Sequence, residues 1–540
     1  MSAVARVRWI TVAVASAAMV AGGCSGTDGQ DGGQADAGRS FSYQSTEPQN
    51  PLQPANANET GGSRIIQNLF RGLVDYDPSN AELRMQVAER IDSADAQTFD
   101  ITLKPGWTFH DGTPVLARNF VNAWNWGATV TNNQLNSSWF ADIEGYQDVH
   151  PDSGGPTADR MSGLTVVDDT HFTIKLRGRV SYFEYKLGYI AFSPLPDSFF
   201  ADPAGHGQKP VGNGPYRFVS WDHNKEVVTK AYSAYPGVDR PKNGGVVFRI
   251  YSSAEAAYAD LQSGNLDVID RVPPSALATY RTDLGPRAVD VPQGAIETVG
   301  FPLYRPDWQG ADKAKVRQGL SMAIDRDTIV RTVLQGSRAP ASAWVAEGVE
   351  GYKAGQCGDF CVFDADRAKQ LIAEGGGVPG NRLTITYDAG GGNKEWVDAV
   401  CNSIRQSTGV DCLGDPKPDF RTARAEITEH RLSSAFRAGW SQDYPLNANF
   451  LADLYRTGAG SNDTGYSSPR FDELAEKADR AASIQDSAAG YQQAETVLST
   501  DMPAVPLWYY RTNSGYSANV RNVGFDLFGD PVWTQVEVTG

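Results

Sequence analysis

Amphipathic helical patterns and short strand patterns alternate along most of the chain, and no segment repeats. In Ala254–Gln262 the apolar residues recur at helical spacing, with a glycine two residues beyond the segment. Phe99, Ile101 and Leu103 alternate with polar residues, which is typical of a half-buried strand. A mixed order of this kind over 540 residues predicts an α/β chain that is too long for one ordinary domain.

The first residues have the pattern of an export signal. Arg6 and Arg8 supply a positive end, and no charged residue follows between Trp9 and Val20. A positive end, a short apolar stretch and small residues describe a secretory signal peptide, here over residues 1–23. The alternative is a stop-transfer anchor, but the stretch is well below the roughly 20 apolar residues that span a bilayer.

A cysteine stands directly after this segment. Val20-Ala21-Gly22-Gly23-Cys24 resembles a bacterial lipobox, in which the cysteine is acylated and becomes the new N-terminus. Ala21 stands where a larger aliphatic residue is commoner, so plain secretion stays the alternative. The next residues are mostly Gly, Asp, Gln and Ala, which bury too little apolar surface to become ordered. We therefore expect a lipidated Cys24 and a flexible tether over residues 24–40, with the protein outside the cytoplasm and anchored to the cell membrane.

Four further cysteines agree with an oxidising compartment. Cys357 and Cys361 are close in sequence, and so are Cys401 and Cys412. An even number of cysteines in an exported chain predicts two disulfides, and proximity favours the pairs Cys357–Cys361 and Cys401–Cys412. The alternative is a zinc site, which neither pair supports because the usual C-x2-C spacing is missing.

Charge and motifs argue against several functions. The net charge of -16 is unsuited to nucleic acid, because affinity for phosphate needs a basic face. The sequence has no G-x-x-x-x-G-K-[ST] phosphate loop and no G-x-S-x-G nucleophile elbow, and its histidines are scattered singly. We predict a protein that is not an enzyme and that needs no metal or other cofactor. A carboxylate pair for glycoside cleavage stays open, since spacing in space is invisible in a sequence.

Seven segments together carry a family resemblance. The most specific are Phe109-His110-Asp111-Gly112-Thr113-Pro114 and Gly439-Trp440-Ser441-Gln442-Asp443-Tyr444-Pro445. The other five are Asn68–Val74, Val211–Tyr216, Leu261–Asp267, Val316–Arg326 and Pro469–Leu474. In this order they resemble the extracellular solute-binding proteins of the dipeptide/oligopeptide type, which serve ABC importers. The resemblance covers nearly the whole mature chain.

This resemblance implies an α/β fold of the two-lobed periplasmic-binding-protein type with an extra inserted domain, so three domains of mixed sheets flanked by helices. Lobe I is expected to be discontinuous, over residues 41–75, 210–302 and 501–540. The inserted domain is expected over 76–209 and lobe II over 303–500. The ligand is expected between the lobes, which close on it by a hinge motion.

The resemblance also implies site residues. Asp443 lies where peptide-binding members place a carboxylate for the amino terminus of the peptide. Trp440 and Ser441 are expected to line the same cleft, with Trp440 packing on the ligand. Arg437 matches a basic residue that some members use, and Glu59 is expected to reach the cleft from the first lobe. The alternatives are that Asp443 only braces a turn and that Trp440 belongs to the core.

The expected function is that of a lipid-anchored receptor for short peptides. It would deliver them to an ABC importer, so its partners would be permease subunits with cytoplasmic ATPases, and we expect a monomer. One alternative keeps the fold and changes the solute to an oligosaccharide, a nickel chelate or haem. Another is a signalling receptor that senses peptides. The sequence does not predict the length of the peptide.

Overall fold

The computed structural model describes residues 38–539. The predicted signal peptide, Cys24 and most of the predicted tether lie outside the described residues. The strands are β1 (Ser40–Ser45), β2 (Val74–Tyr76), β3 (Leu83–Met85), β4 (Ala88–Asp92), β5 (Thr98–Leu103), β6 (Leu164–Val166), β7 (His171–Lys175), β8 (Tyr216–Asp222), β9 (Glu226–Ala231), β10 (Gly245–Ile250), β11 (Ala288–Gly300), β12 (Arg338–Pro340), β13 (Arg382–Asp388), β14 (Asp411–Lys417), β15 (Ala435–Ser441), β16 (Ala504–Gly515), β17 (Val520–Arg521) and β18 (Glu537–Val538).

Helices follow nine of these eighteen strands. They are α1 (Thr60–Leu69), α2 (Ala117–Ala128), α3 (Tyr146–Val149), α4 (Phe183–Lys186), α5 (Pro203–Gln208), α6 (Ala254–Gln262), α7 (Tyr280–Leu284), α8 (Gly310–Met322), α9 (Arg326–Thr332), α10 (Ala365–Glu374), α11 (Lys394–Thr408), α12 (Phe420–Thr428), α13 (Asn447–Tyr455), α14 (Pro469–Asp479) and α15 (Ile484–Asp501). Among residues 38–539, we find no helix with the length and apolar character that a bilayer span requires.

Two four-stranded sheets share one hydrophobic core. Sheet A has the order β1-β10-β9-β8, in which β1 is parallel to β10 and the other pairs are antiparallel. Sheet B, with the order β4-β5-β7-β6, is antiparallel throughout. The core includes Phe41 and Tyr43 from sheet A, Phe172 from sheet B, and Trp533 near the C-terminus. Sheet B lies inside the segment predicted as the inserted domain.

A second large core surrounds sheet C, which has the order β12-β16-β11-β15-β13-β14. The long strands β11 and β16 lie side by side and are antiparallel, whereas β13 is parallel to both β14 and β15. The residues that follow β16 continue toward sheet A, because Val268 bridges both Tyr516 and Tyr43 of β1. The pair β11 and β16 therefore connects the two cores, as expected of a hinge between lobes.

The sheets differ from the predicted domain limits in one respect. Strands β11 and β16 lie in segments predicted for lobe I, yet they pair with lobe II strands in sheet C. A strand that passes from one lobe into the other has no break in its residue pattern, so a sequence gives no boundary there. The domain limits themselves stay a prediction.

Both disulfides lie beside sheet C. Cys357 is bonded to Cys361 in the segment before α10. Cys401 of α11 is bonded to Cys412 of β14, and both of these cysteines are buried. These are the pairs that proximity in sequence favours. Among the described residues, no group of three or more His, Cys, Asp or Glu side chains is arranged to hold a metal ion.

Candidate functional site

A cleft of about 1360 Å³ is lined by residues of both cores. One wall is formed by α1, by the hairpin of β2 and β3, and by the segment 526–530. The opposite wall is formed by β12, by the N-terminal end of α11 and by the residues that end β15. The volume exceeds the roughly 300–1,000 Å³ of ordinary small-molecule pockets. The cleft therefore has room for an extended ligand of several residues.

Asp443 lies in this cleft, two residues after the end of β15. Its backbone N–H donates to Oδ1 of Asn449 at 2.8 Å, and its Oδ2 accepts a longer bond of 3.4 Å from the amide of Asn449. No Lys or Arg of residues 38–539 forms an ion pair with its carboxylate; the nearby Lys186 is paired with Asp142 at 2.5 Å instead. Asp443 is thus a cleft carboxylate without an ion-pair partner in the described part of the chain.

The pKa of Asp443 is raised to about 7, mainly by burial and then by the neighbouring carboxylate of Asp453. The hydrogen bond from Asn449 and the charge of Lys186 lower this pKa and only partly oppose the increase. A cation placed beside a carboxylate favours its charged form. A ligand ammonium group in the cleft would therefore supply a direct ion-pair partner and favour ionised Asp443.

Asn449 holds this part of the site in place. It is fully buried on α13, and its Oδ1 accepts N–H groups from both Asp443 and the indole of Trp440. Its amide nitrogen donates to Asp453 at 2.8 Å and to Asp443. Two donors facing Oδ1 fix the orientation of the amide, so its N–H groups must point at the carboxylates. Sequence reasoning missed Asn449, although it lies only six residues after Asp443.

The two residues predicted beside Asp443 differ in their positions. Ser441 is exposed and lines the cleft. Trp440 does not line it; the ring packs against the core of sheet C, and its Nε1 donates to Asn449 at 3.1 Å. Neighbouring residues of a strand point to opposite faces, so Trp440 and Ser441 of β15 cannot both face the ligand. The expectation that Trp440 packs on the ligand is replaced by the core alternative.

Arg437 is paired inside the protein. Its Nε lies 3.1 Å from Oε1 of the buried Glu297, and its Nη1 lies 3.6 Å from Asp388. The hydroxyl of Tyr510 also donates to Glu297, at 2.5 Å. Burial raises the pKa of Glu297, although the charge of Arg437 opposes this. Arg437 does not line the cleft, and its charge is engaged by two carboxylates.

Glu59 lines the cleft as expected, but its carboxylate accepts hydrogen bonds from backbone N–H groups. It is the N-cap of α1, where Oε1 accepts the N–H of Gly62 at 2.9 Å and that of Gln49 at 3.2 Å. Such a cap satisfies helix N–H groups that have no partner within the helix. Glu59 therefore contributes negative charge to the cleft from a position that is fixed by local structure.

Aromatic residues of the cleft were missed by sequence reasoning. Tyr76 of β2 stacks on Phe528 with ring centroids 5.5 Å apart, and Tyr189 stacks on Trp139 at 3.8 Å. Tyr76, Tyr189 and Phe528 line the cleft. They come from separate segments of the chain, and no local pattern distinguishes them from core aromatics. They provide apolar surface for ligand side chains close to Asp443. Burial is the main cause that raises the pKa of both tyrosines, and the charge of Asp443 raises it further.

A sequence profile of the bacterial extracellular solute-binding proteins, family 5 (middle region), matches residues 82–462. The chain belongs to this family. Among curated relatives, the oligopeptide-binding protein OppA of Bacillus subtilis (strain 168) is 23% identical over 489 residues, which cover 87% of this chain and 88% of the relative. Members of the family bind solutes and are not enzymes, so that prediction is confirmed, and the location is extracytoplasmic.

Solved structures confirm the two-lobed fold. The murein tripeptide-binding protein MppA, in an unliganded open form, matches with a TM-score of 0.78 and 22% identity, covering 94% of this chain and 99% of that chain. OppA of Haemophilus influenzae in complex with RPPGFSPFR matches with a TM-score of 0.75 and 20% identity, covering 94% of this chain and all of that one. At these identities the likeness establishes the fold alone.

Proposed function

We propose that this protein is a lipid-anchored receptor that binds short peptides between its lobes and delivers them to an ABC importer. The observation that carries the proposal is Asp443, a cleft carboxylate with a pKa near 7 and no cation paired with it among residues 38–539. Every peptide with a free amino terminus presents an ammonium group. A receptor that recognises this group and the peptide backbone accepts many sequences.

The energetic argument concerns the buried charge pair. An ammonium group enclosed between lobes loses its hydration, which is costly unless a carboxylate meets it. Removing one partner of such a pair costs about 3–5 kcal/mol. Since about 1.4 kcal/mol corresponds to a tenfold change, blocking the amino terminus is expected to weaken binding by roughly two to three decades.

The names of the relatives support the ligand class. The Bacillus subtilis relative is an oligopeptide-binding protein, the Haemophilus influenzae relative was solved with a peptide, and MppA is a murein tripeptide-binding protein. The two solved structures share the fold that encloses the cleft of this chain. Identities of 20–23% support peptides as a class and leave the choice among peptides to residues of this chain.

The lipid on Cys24 would keep the receptor beside its permease while the lobes open and close. A single acyl chain gives only marginal membrane binding, so two or more chains on Cys24 are required for a stable anchor. Replacing Cys24→Ala is expected to release the protein into the medium without changing its affinity for peptide. Retention of that variant at the membrane would contradict the anchor.

A thermal-shift screen tests the ligand class. Pools of di- to hexapeptides are compared with their N-acetylated versions and with oligosaccharides. A ligand that binds the folded state stabilises it by RT ln(1 + [L]/Kd), so free peptides should raise the Tm and acetylated ones should raise it far less. Equal shifts would contradict the role of Asp443, and a shift with sugars but with no peptide would contradict peptide binding.

A further inference from the structure

Gln442, which lies between Ser441 and Asp443, has a buried side-chain amide that the protein does not satisfy. The residue lines the cleft and is 5% exposed. Neither Oε1 nor Nε2 of this amide has a hydrogen-bond partner among residues 38–539. A buried polar group without a hydrogen bond destabilises the folded state. The amide therefore has an unused donor and an unused acceptor beside the residue proposed to meet the amino group of the ligand.

Gly294 of β11 fixes where this amide lies. The backbone N–H of Gln442 donates to the carbonyl of Gly294 at 2.8 Å. A Cβ atom at Gly294 would lie 2.4 Å from Cδ of Gln442 and 2.6 Å from both Nε2 and Oε1. Because these distances are nearly equal, one face of the amide plane packs on Gly294. The edge of the plane, which carries the N–H and C=O groups, is therefore not directed at Gly294.

A second buried amide of the cleft shows that burial alone does not explain this arrangement. Asn513 lines the cleft and is 6% exposed, so it is as buried as Gln442. Its Oδ1 accepts the hydroxyl of Tyr280 at 2.9 Å, and its Nδ2 donates to the carbonyl of Ser337 at 3.1 Å. Asn513 is thus satisfied by the fold. Gln442 differs from it in having both amide atoms available to a molecule that enters the cleft.

We propose that the side-chain amide of Gln442 binds the peptide backbone, with Oε1 accepting the N–H and Nε2 donating to the C=O of the second or third residue of the peptide. This inference rests on the proposed function and adds a residue that recognises peptide groups. In an extended chain the N–H and C=O of one residue face the same side, so opposite residues of antiparallel strands exchange both bonds. A primary amide offers the same combination of donor and acceptor.

The position along the peptide follows from Asp443. A first residue whose amino group lies at Asp443 has an ammonium group and no amide N–H. Gln442 precedes Asp443 by one residue, and an extended chain advances about 3.3–3.6 Å per residue, so the second and third residues of the peptide lie within reach of its side chain. The terminal torsion of a glutamine is broad, and rotation about it turns the polar edge of the amide toward the peptide.

An ester scan tests this contact by calorimetric titration. The parent is the tightest-binding peptide of the thermal-shift screen, and each analogue has the N–H of one residue after the first replaced by oxygen. A site that hydrogen-bonds an N–H rejects an analogue that lacks it, because the buried partner is left unpaired. The analogue at the second or third residue is expected to bind the wild-type protein about tenfold to a hundredfold more weakly than the parent.

Two variants assign the loss to one residue. In Gln442→Met the penalty at the second or third residue should become much smaller. Gln293→Met should keep the wild-type penalty, because the amide of Gln293, which also lines the cleft, already donates to the carbonyl of Phe528. Equal penalties in the wild type and in Gln442→Met at every residue, with a preserved penalty for N-acetylation, would overturn the inference and leave the proposed function standing. If no peptide binds at all, the proposed function itself fails.

The Tm of the ligand-free protein gives a second readout that a structural role would move in the opposite direction. Gln442→Met replaces two buried polar atoms that have no partner among residues 38–539 by apolar groups of similar shape. The Tm without ligand should therefore stay unchanged or rise, while the affinity for the parent peptide falls. A lower Tm of this variant would show that the amide stabilises the fold and would overturn the inference.

Discussion

The two walls of the cleft differ in how their charges are satisfied. On the wall beside sheet A, Arg64 is held by Asp270 at 2.6 Å and by Asp530 at 2.5 Å. On the wall formed by sheet C, Asp443 and Arg338 have no charge partner among residues 38–539. Paired charges rigidify a surface, whereas unpaired ones make it ready for a charged ligand. The ion pairs of Arg64 thus brace one wall, and we propose that Asp443 on the other wall meets the charge of the ligand.

Removing Arg64, which pairs with two carboxylates, should have the largest effect on stability. Arg64→Leu leaves the buried Asp530 without its countercharge and leaves Asp270 with only the exposed Arg271, and breaking a buried pair costs about 3–5 kcal/mol in other proteins. We expect the free energy of unfolding in urea to fall by about that amount. As the control on the other wall, Arg338→Gln should change it by less than about 1 kcal/mol, since no ion pair is lost. Equal losses in the two variants would remove the distinction between the walls.

Removing the unpaired carboxylate should instead stabilise the ligand-free protein. The pKa of Asp443 is raised to about 7 in the folded state, so its contribution to stability is present at acidic pH and is lost as pH rises through about 7. Asp443→Asn should therefore raise the free energy of unfolding by about 2–4 kcal/mol at pH 8, since one pKa unit is worth 1.36 kcal/mol. At pH 4 the gain should vanish. A variant that is less stable than wild type at pH 8 would indicate that Asp443 has a structural role.

The affinity for peptides should depend on pH through the same group. A ligand ammonium group requires ionised Asp443, so binding must displace the proton that the free protein holds below pH 7. Peptide affinity measured by titration calorimetry should fall by up to about tenfold per unit below pH 7, or roughly two decades at pH 5. In Asp443→Asn this dependence should disappear. A wild-type affinity that is constant from pH 5 to pH 7 would contradict ammonium binding at Asp443.

A smaller effect is expected from Asn449, which holds Asp443 in position. Asn449→Ala removes a hydrogen bond worth about 0.5–1.5 kcal/mol to the carboxylate, so the pH midpoint of peptide binding should rise by about half a unit to one unit. Asn447→Ala is the matched control, because Asn447 is an equally buried amide of α13 that donates to the carbonyls of Gly351 and Ala488. Both variants should lose stability, and only the first should shift the midpoint. A shift in both would indicate a general loosening of α13.

Much of the fold could be predicted from local patterns. The helix predicted over Ala254–Gln262 has those same bounds, and Phe99, Ile101 and Leu103 all lie in β5 with their side chains buried. The position of Asp443 in the cleft could also be predicted, because it lies in a distinctive segment. Local patterns suffice for these features because they depend on neighbours in the chain.

The rest of the site depends on pairing between distant segments. Arg338 lies beside Tyr510 only because β12 pairs with β16, and nothing in either strand indicates its partner. Arg437 was predicted to be available to ligand, yet Glu297 of the neighbouring strand neutralises it. Trp440 is different, since the alternation of strand side chains already placed it on the face opposite Ser441. The position of Trp440 thus follows from the strand pattern, whereas the neighbours of Arg338 and Arg437 depend on the sheet order.

The central claim is that Asp443 on the sheet C wall binds the amino group of a peptide, and a double-mutant cycle tests it most directly. The same tripeptide, free and N-acetylated, is titrated at pH 7.5 into the wild-type protein and into Asp443→Asn. We expect acetylation to weaken binding to the wild type by roughly two to three decades and to have little effect on the variant, giving a coupling energy of about 3–5 kcal/mol. A coupling energy near zero, with acetylation equally harmful or equally harmless in both proteins, would contradict the account.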